Sequence, residues 1–234
     1  ATDDFMANYA RYYSNGTKVR RRPPLIPAQE SLEREKTFNP PFELAYWHWG
    51  LSVAQQWRKR MGLNPDKNWQ NIIDKIPPFA QKDGLYLAAE SAPDSYSNPK
   101  YISDHPMVLG AFGMLPDTAN VDPVVMNSTF DYVKKNWNWS KTWGWDYPMA
   151  AMCAVRLKKP EDAIELLLMD VQKNTYLKNG HNYQDSRLRI YLPGNGGILT
   201  TVAMMCAGYS GNNHSNRGFP KEWKVSWENL NPVF

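Results

Sequence analysis

The sequence predicts an all-α fold built from helical hairpins, and three observations carry that reading. Apolar residues recur every three or four positions through most of the chain, which is the period of a helix with one buried face. No long run alternates between apolar and polar residues as a half-buried strand does. The segments also follow a repeated order of helix, short turn, helix and long loop. If successive helices pair as hairpins, the long loops gather at one end of the bundle and build one concave surface there.

The elements follow in order. A first helix is expected over roughly Asp3 to Tyr13, stopped near Asn15 and Gly16, which accept positive φ. A second is expected over Pro41 to Met61, where Leu44, Trp47, Leu51, Ala54, Trp57 and Met61 form one apolar stripe. Arg58, Lys59 and Arg60 complement the negative end of its dipole, and Gly62 supplies the stop. A third begins near Asp66 and runs through "WQNIIDKI" until Pro77 and Pro78 forbid it.

Four more are expected at about Pro106 to Met114, Pro123 to Trp137, Trp143 to Leu157 and Pro160 to Met169. Asp122 and Pro123 form a cap and first-turn pair, and Met126, Phe130, Val133 and Trp137 make a buried stripe. The last helix is expected over Gly197 to Ala207 with Gly208 as its stop, and the tail "GFPKEWKVSWENLNPVF" is expected to carry a short strand. At 234 residues and 42% hydrophobic, the chain suffices for one sizeable core, so residues 1–234 are read as one domain.

Composition excludes several classes. The net charge is +4 with 21% charged residues, and the basic ones are dispersed apart from "VRRRPP" and "WRKR", so a nucleic-acid face is not indicated. No stretch approaches the ~18 apolar residues of a membrane span. Cys153 and Cys206 each sit in an apolar helical pattern and read as core thiols; without a Cys/His cluster at ligand spacing, no metal is expected. The first residue is not Met and no signal-like segment follows, so the N-terminus does not indicate a compartment. Aromatic residues make up 13%, with 10 Trp and 13 Tyr, while mean hydropathy stays at -0.61. Many rings therefore face something wet.

The long loops are rich in groups that bind polyols: Glu30, Glu90, Asp94, Asp104, His105, Asp146, His181, Asn182, Gln184, Asp185 and Asn195, interleaved with Trp and Tyr. A sugar stacks its apolar face on an aromatic ring and presents hydroxyls to planar acceptors and donors. Trp47, Trp57 and Trp137 lie on apolar stripes and read as core. His48, Trp49 and Trp145 fall off the stripe or near helix starts, where site and structural roles are both open.

The stretch "PAQESLEREKTFNPPFELAYWHWGLSVAQQW" resembles the segment of six-hairpin, (α/α)₆-barrel glycosidases in which a proline-led element carries the general-acid glutamate, followed by an Asn-containing loop and the next barrel helix. The maltose phosphorylase and trehalase-like family has that layout, as does the inverting α-L-fucosidase family. "DGLYLAAESAPDSY" resembles the loop lining the sugar pocket, "WGWDYPMAAMCAVRLKKPEDAIELL" the penultimate hairpin, and "YLPGNGGILTTVAMMCAG" the last barrel helix. The chain as a whole resembles the C-terminal portion of large proteins of bacterial polysaccharide-degrading systems, which implies a periplasmic or secreted setting.

The resemblance implies an (α/α) toroid, here an incomplete (α/α)₆ barrel, because about eight helices make four hairpins rather than six. It implies an inverting glycoside hydrolase acting on an oligo- or polysaccharide without cofactor, with Glu30 as general acid and Trp47, His48, Glu90, Asp104, His105, Trp145, Asp146 and Asn195 around the sugar. Trp49 and His181 join them as expected substrate contacts. An inverting hydrolase needs a second carboxylate about 6.5–9.5 Å from the acid to activate water; Glu90, Asp104, Asp146 and Asp185 are the candidates.

The chain also departs from the pattern. Where the fucosidase family has an Asp immediately before the Gly-Asn pair, this sequence has Pro193. That favours the main alternative, a catalytically silent carbohydrate-binding or assembly module. A polysaccharide lyase using Tyr101 with His105 ranks last, since no convergent Arg accompanies them. An incomplete barrel exposes aromatic surface that a preceding segment or a second copy should cover.

Overall fold

The computed structural model describes residues 25–116, 120–210 and 218–233. The helix expected over Asp3 to Tyr13 lies outside them. Among the described residues the chain is mainly helical, with α1 Pro41–Arg60, α2 Lys67–Ile73, α3 Met107–Gly113, α4 Pro123–Asn136, α5 Asp146–Arg156, α6 Pro160–Leu167 and α7 Leu192–Ala207. Two small antiparallel pairs interrupt them: β1 Gln81–Lys82 with β2 Leu85–Tyr86, and β3 Thr175–Tyr176 with β4 Asn182–Tyr183. Strands of two residues are too short to leave an alternating pattern in sequence. Asp83 and Gly84, both at positive φ, make the tight turn between β1 and β2.

The helix ends follow the local chemistry. Asp66 caps α2 by accepting from Asn68 N at 2.9 Å and Trp69 N at 3.1 Å. Gln55 of α1 then grips Asp66 in both directions, donating to its carbonyl at 2.8 Å and accepting from its N–H at 2.9 Å. Asp122 caps α4 through Val124 N at 2.8 Å. Gly62 and Gly208 close α1 and α7 at φ of 72° and 88°.

Packing follows a regular order. Helix α1 contacts α2 and α3, α3 contacts α5, and α5 contacts α6 and α7. Every residue of α3 and of α5 is buried, so these two helices are the centre of the molecule. They approach backbone to backbone at Gly113, where a Cβ would lie 2.8 Å from Cys153 N and 2.9 Å from Met149 O. The main core joins Leu109, Phe112, Met126, Phe130, Val133, Tyr147, Cys153, Leu166 and Met205. A smaller cluster of Trp47, Leu51, Ala54, Trp69 and Ile72 fills the space between α1 and α2.

Four expectations need adjustment. Trp57 and Met61 continue the α1 stripe in sequence but are 56% and 62% exposed, because α2 ends after two turns and leaves the last turn of α1 uncovered. Trp57 instead meets Arg60, whose Cζ lies 5.1 Å from the ring centroid. Helix α5 starts at Asp146, not Trp143, since the side chain of Asp146 turns back to accept from Trp143 N at 2.8 Å. Helix α7 starts five residues before the expected Gly197: Pro193 suits a first turn, and the bare face of Gly194 is filled by Asn182. The tail forms one isolated bridge, Tyr209 with Val233, in place of a strand. Cys153 and Cys206 are buried and free, and among the described residues no helix is long and apolar enough to cross a membrane.

Candidate functional site

The site is assembled from turns that precede helices. Pro106 ends the segment before α3 and leaves Asp104 and His105 in the approach to that helix. Asp146 is the first residue of α5 and has no exposed surface. Its carboxylate lies 2.9 Å (Oδ2) and 3.0 Å (Oδ1) from His105 Nδ1, so the ring proton on Nδ1 is donated to Asp146. On the other edge of the ring, Nε2 stands 3.8 Å from Asp104 Oδ1.

A third turn brings in Glu30. Gln29 is buried and donates to Tyr101 O at 3.1 Å, while Ser31 N donates to Asp104 Oδ2 at 2.5 Å. Ala28 N donates to Glu43 Oε1 at 2.6 Å, tying the same turn to the first turn of α1. Glu30 projects from this turn and is exposed. With Glu43, Arg34, Phe42, Tyr46 and Trp47 it lines a cleft of about 700 Å³.

Aromatic rings close the cluster from the other side. Trp145 presents an edge to His105 at 4.9 Å between centroids, and its Nε1 is buried without a hydrogen-bond partner. Trp143 lies 5.6 Å from Tyr191, the residue before α7, and Lys173 Nζ sits 4.9 Å from the Trp143 ring. The Trp143–Asp146 turn is held from beneath by Gln184, whose Oε1 accepts from Gly144 N at 2.9 Å. Gln184 in turn donates to Asn182 Oδ1 at 2.7 Å, and neither residue is exposed.

The electrostatics are those of a buried imidazole among carboxylates. Burial pulls the His105 pKa down, but the hydrogen bond and charge of Asp146, with the charges of Asp104 and Glu30, outweigh it and leave the pKa raised. For Asp146 burial is the largest influence and leaves its pKa raised, with the charge of Asp104 adding to it, while the His105 bond and the Trp143 N–H pull the other way and favour the carboxylate. Its place at the N-terminus of α5 adds to the latter, so the pair is best described as imidazolium and carboxylate. Tyr191 is pushed up to about 12, chiefly by burial, with Asp146 and Glu30 adding to it. Glu30 and Asp146 thus act on both His105 and Tyr191, which links the Glu30 turn electrostatically with the segments that lead into α3, α5 and α7.

The structure brings together five expected residues, Glu30, Asp104, His105, Trp145 and Asp146, and Trp47 shares the cleft with Glu30. The remaining expected residues sit as follows. Glu90 is exposed and accepts from Asn39 Nδ2 at 2.6 Å. His48 is half-buried on α1, and Trp49 packs edge-on against Tyr46 at 5.5 Å and against the main core. Asn195 spends both ends of its amide on the chain, donating to Gly180 O at 2.7 Å and accepting from Asn182 N at 3.0 Å. His181, beside Asn182, belongs to that same junction of β4 with α7. Asp185 accepts from Arg187 N and Leu188 N, both at 2.8 Å, and closes its own turn.

Glu43, Trp143 and Tyr191 are members that sequence reasoning missed. Glu43 reads as an ordinary first-turn acid, and Trp143 and Tyr191 reveal themselves only by standing just before helix starts. Among the described residues no group of three or more His, Cys, Asp or Glu is placed to hold a metal ion. Comparison with models of known protein families, with curated proteins and with solved structures gave no match to this chain.

Proposed function

We propose that the chain is part of an (α/α) toroid whose cleft beside Glu30 binds carbohydrate and hydrolyses an O-glycosidic bond with inversion. The order of contacts, α1 to α3 to α5 to α7 with α2 and α6 set against α1 and α5, suits an inner row of helices backed by an outer one. One observation carries the functional reading: Glu30 lines a cleft walled by Phe42, Tyr46 and Trp47 and also acts on His105, whose other neighbour is Asp104. An exposed carboxyl, an aromatic wall and a second carboxylate are what glycosidic hydrolysis requires.

In this reading Glu30 donates its proton to the glycosidic oxygen as the bond from the anomeric carbon breaks. Asp104 takes a proton from the water that forms the new bond on the opposite face, which inverts the configuration. His105 and Asp146 position Asp104 and do not touch substrate. The exposed ring of Tyr46 holds the apolar face of the sugar, with Phe42 and the edge of Trp47 behind it.

The test is hydrolysis of a panel of oligosaccharides, followed by proton NMR of the anomer released. Wild type is expected to release the inverted anomer, with Glu30→Gln and Asp104→Asn each lowering the rate by about 10²–10⁴-fold. Retained configuration, or unchanged rates in both variants, overturns the mechanism. A second reading, binding without hydrolysis, is favoured by a specific contact: Asp104 already spends Oδ2 on Ser31 N. Saturable binding of an oligosaccharide, abolished in Tyr46→Ala and without release of product, supports that reading instead.

A further inference from the structure

Helix α5 carries Asp146 at its start and Arg156 at its end. Ten helical rises of 1.5 Å separate them by about 15 Å, so Arg156 lies far from the cleft described above. Arg156 is 7% exposed, and its Nε and Nη2 are buried without a hydrogen-bond partner. Its Cζ lies 4.6 Å from the Tyr209 ring centroid, the one favourable contact for the charge among the described residues. It is not spent on the end of its own helix, because Leu157, Lys158 and Lys159 N–H groups already serve the carbonyls of Cys153, Val155 and Ala154. A buried guanidinium without an anionic partner is unfavourable.

Arg156 lines a second cleft, of about 390 Å³, with Pro123, Val124, Asn127, Ser128, Leu157 and Lys158. Among the described residues the lining holds two cationic side chains and no carboxylate. It also includes the first turns of α4, a helix of 14 residues whose amino end favours negative charge. Two acids of α4 and its cap are already engaged. Asp122 caps α4 through Val124 N, and Asp131 pairs with Lys159. Asn127 Nδ2 reaches Asp131 Oδ2 at 3.2 Å and Ser128 Oγ reaches Val124 O at 3.3 Å, both long bonds that a better acceptor would replace.

Lys158 adds an independent sign. It occupies the left-handed position after α5, at φ 60°, where glycine is the favoured residue. A lysine there accepts backbone strain while placing a cation at the cleft.

We propose that this cleft binds a tetrahedral oxyanion, the phosphate or sulfate group of a small molecule or modified sugar, with Arg156 as its charged anchor. The claim is independent of the proposed hydrolase activity, since it concerns the opposite end of α5. Thermal unfolding of the full 234-residue chain is followed with inorganic phosphate, with sulfate and with chloride at matched ionic strength, and affinity is measured by calorimetry.

Phosphate, sulfate or both are expected to raise Tm saturably, with chloride without effect; the tighter of the two names the ester class. Arg156→Met is expected to weaken binding at least tenfold. Lys158→Gly relieves the backbone, so it is expected to keep or raise Tm without anion while weakening the oxyanion several-fold, which separates lost binding from lost folding. Equal shifts from all three salts, or unchanged affinity in both variants, overturn the proposal.

Discussion

His105 Nδ1 lies 2.9 Å from Asp146 Oδ2, joining the turn before α3 to the first residue of α5 across 41 positions of sequence. The bond crosses between the two central helices at the end where Glu30 and Asp104 also stand. It therefore links the packing of the core to the geometry of the cleft.

That link has a pH signature. The His105 pKa is raised in the fold, so its contribution to stability is fully present below the unfolded value of about 6.5 and is lost as pH climbs through the folded value. Urea unfolding of wild type is expected to show falling stability as pH rises above about 6.5. His105→Gln removes that component and flattens the slope. Asp146→Asn lowers the slope as well, because the largest source of the upward shift is gone. A slope unchanged in both variants would show that the pair does not titrate in this window.

The contact between α3 and α5 at Gly113 allows no side chain. A Cβ there meets Cys153 N and Met149 O, which are backbone atoms of α5 and cannot rotate away. Gly113→Ala is expected to destabilise the fold by about 1–3 kcal/mol, the range for overpacking. Gly62→Ala offers the contrast: open space surrounds its Cβ, so any effect comes from its positive φ alone. Denaturant midpoints of the two variants separate crowding from backbone strain.

Much of the helical layout was legible because local chemistry decided it. Asp122 followed by Pro123, and Asp66 before "KNWQ", are caps whose partners lie within three residues. The site was legible only in part, because its bonds are long-range. Asp104 and His105 could be named as polar loop residues, but their meeting with Ser31 and Asp146 depends on how α1, α3 and α5 pack. The same limit explains Trp47 and Trp57: they share one stripe, yet only Trp47 has α2 against it. Asn195 was drawn toward the sugar by its type and its setting, whereas its amide holds the β4 turn to α7.

The buried pair Asn182 and Gln184 is expected to matter more to the site than its distance from Glu30 suggests. Gln184 Oε1 receives Gly144 N, and Gln184 Nε2 reaches Asn182 Oδ1 and Lys173 O. Gln184→Leu keeps the volume and strands a buried N–H, at a cost of about 1–3 kcal/mol. The Trp143–Asp146 turn then loses its support, so tryptophan fluorescence should change along with stability. A stability loss with unaltered fluorescence would confine the role of Gln184 to the fold.

The outer face of α7 gives the last expectation. Leu192, Leu199 and Val202 are 65%, 71% and 38% exposed and stand at spacings of seven and three on one side of the helix, while Thr201, Met204 and Met205 bury the other side. On the toroid reading this face is where a neighbouring hairpin packs, and without one it is an apolar stripe open to water. A second copy of the chain is the simplest cover, because the C-terminal end of α1 also exposes Trp57, and Met61 just after it, at the far end of the row. Sedimentation is expected to show concentration-dependent association that Leu199→Lys reverses, with unchanged thermal unfolding of the monomer. A monomer at all concentrations, in wild type and variant alike, would mean that the stripe does not drive self-association and would remove one support for the open toroid.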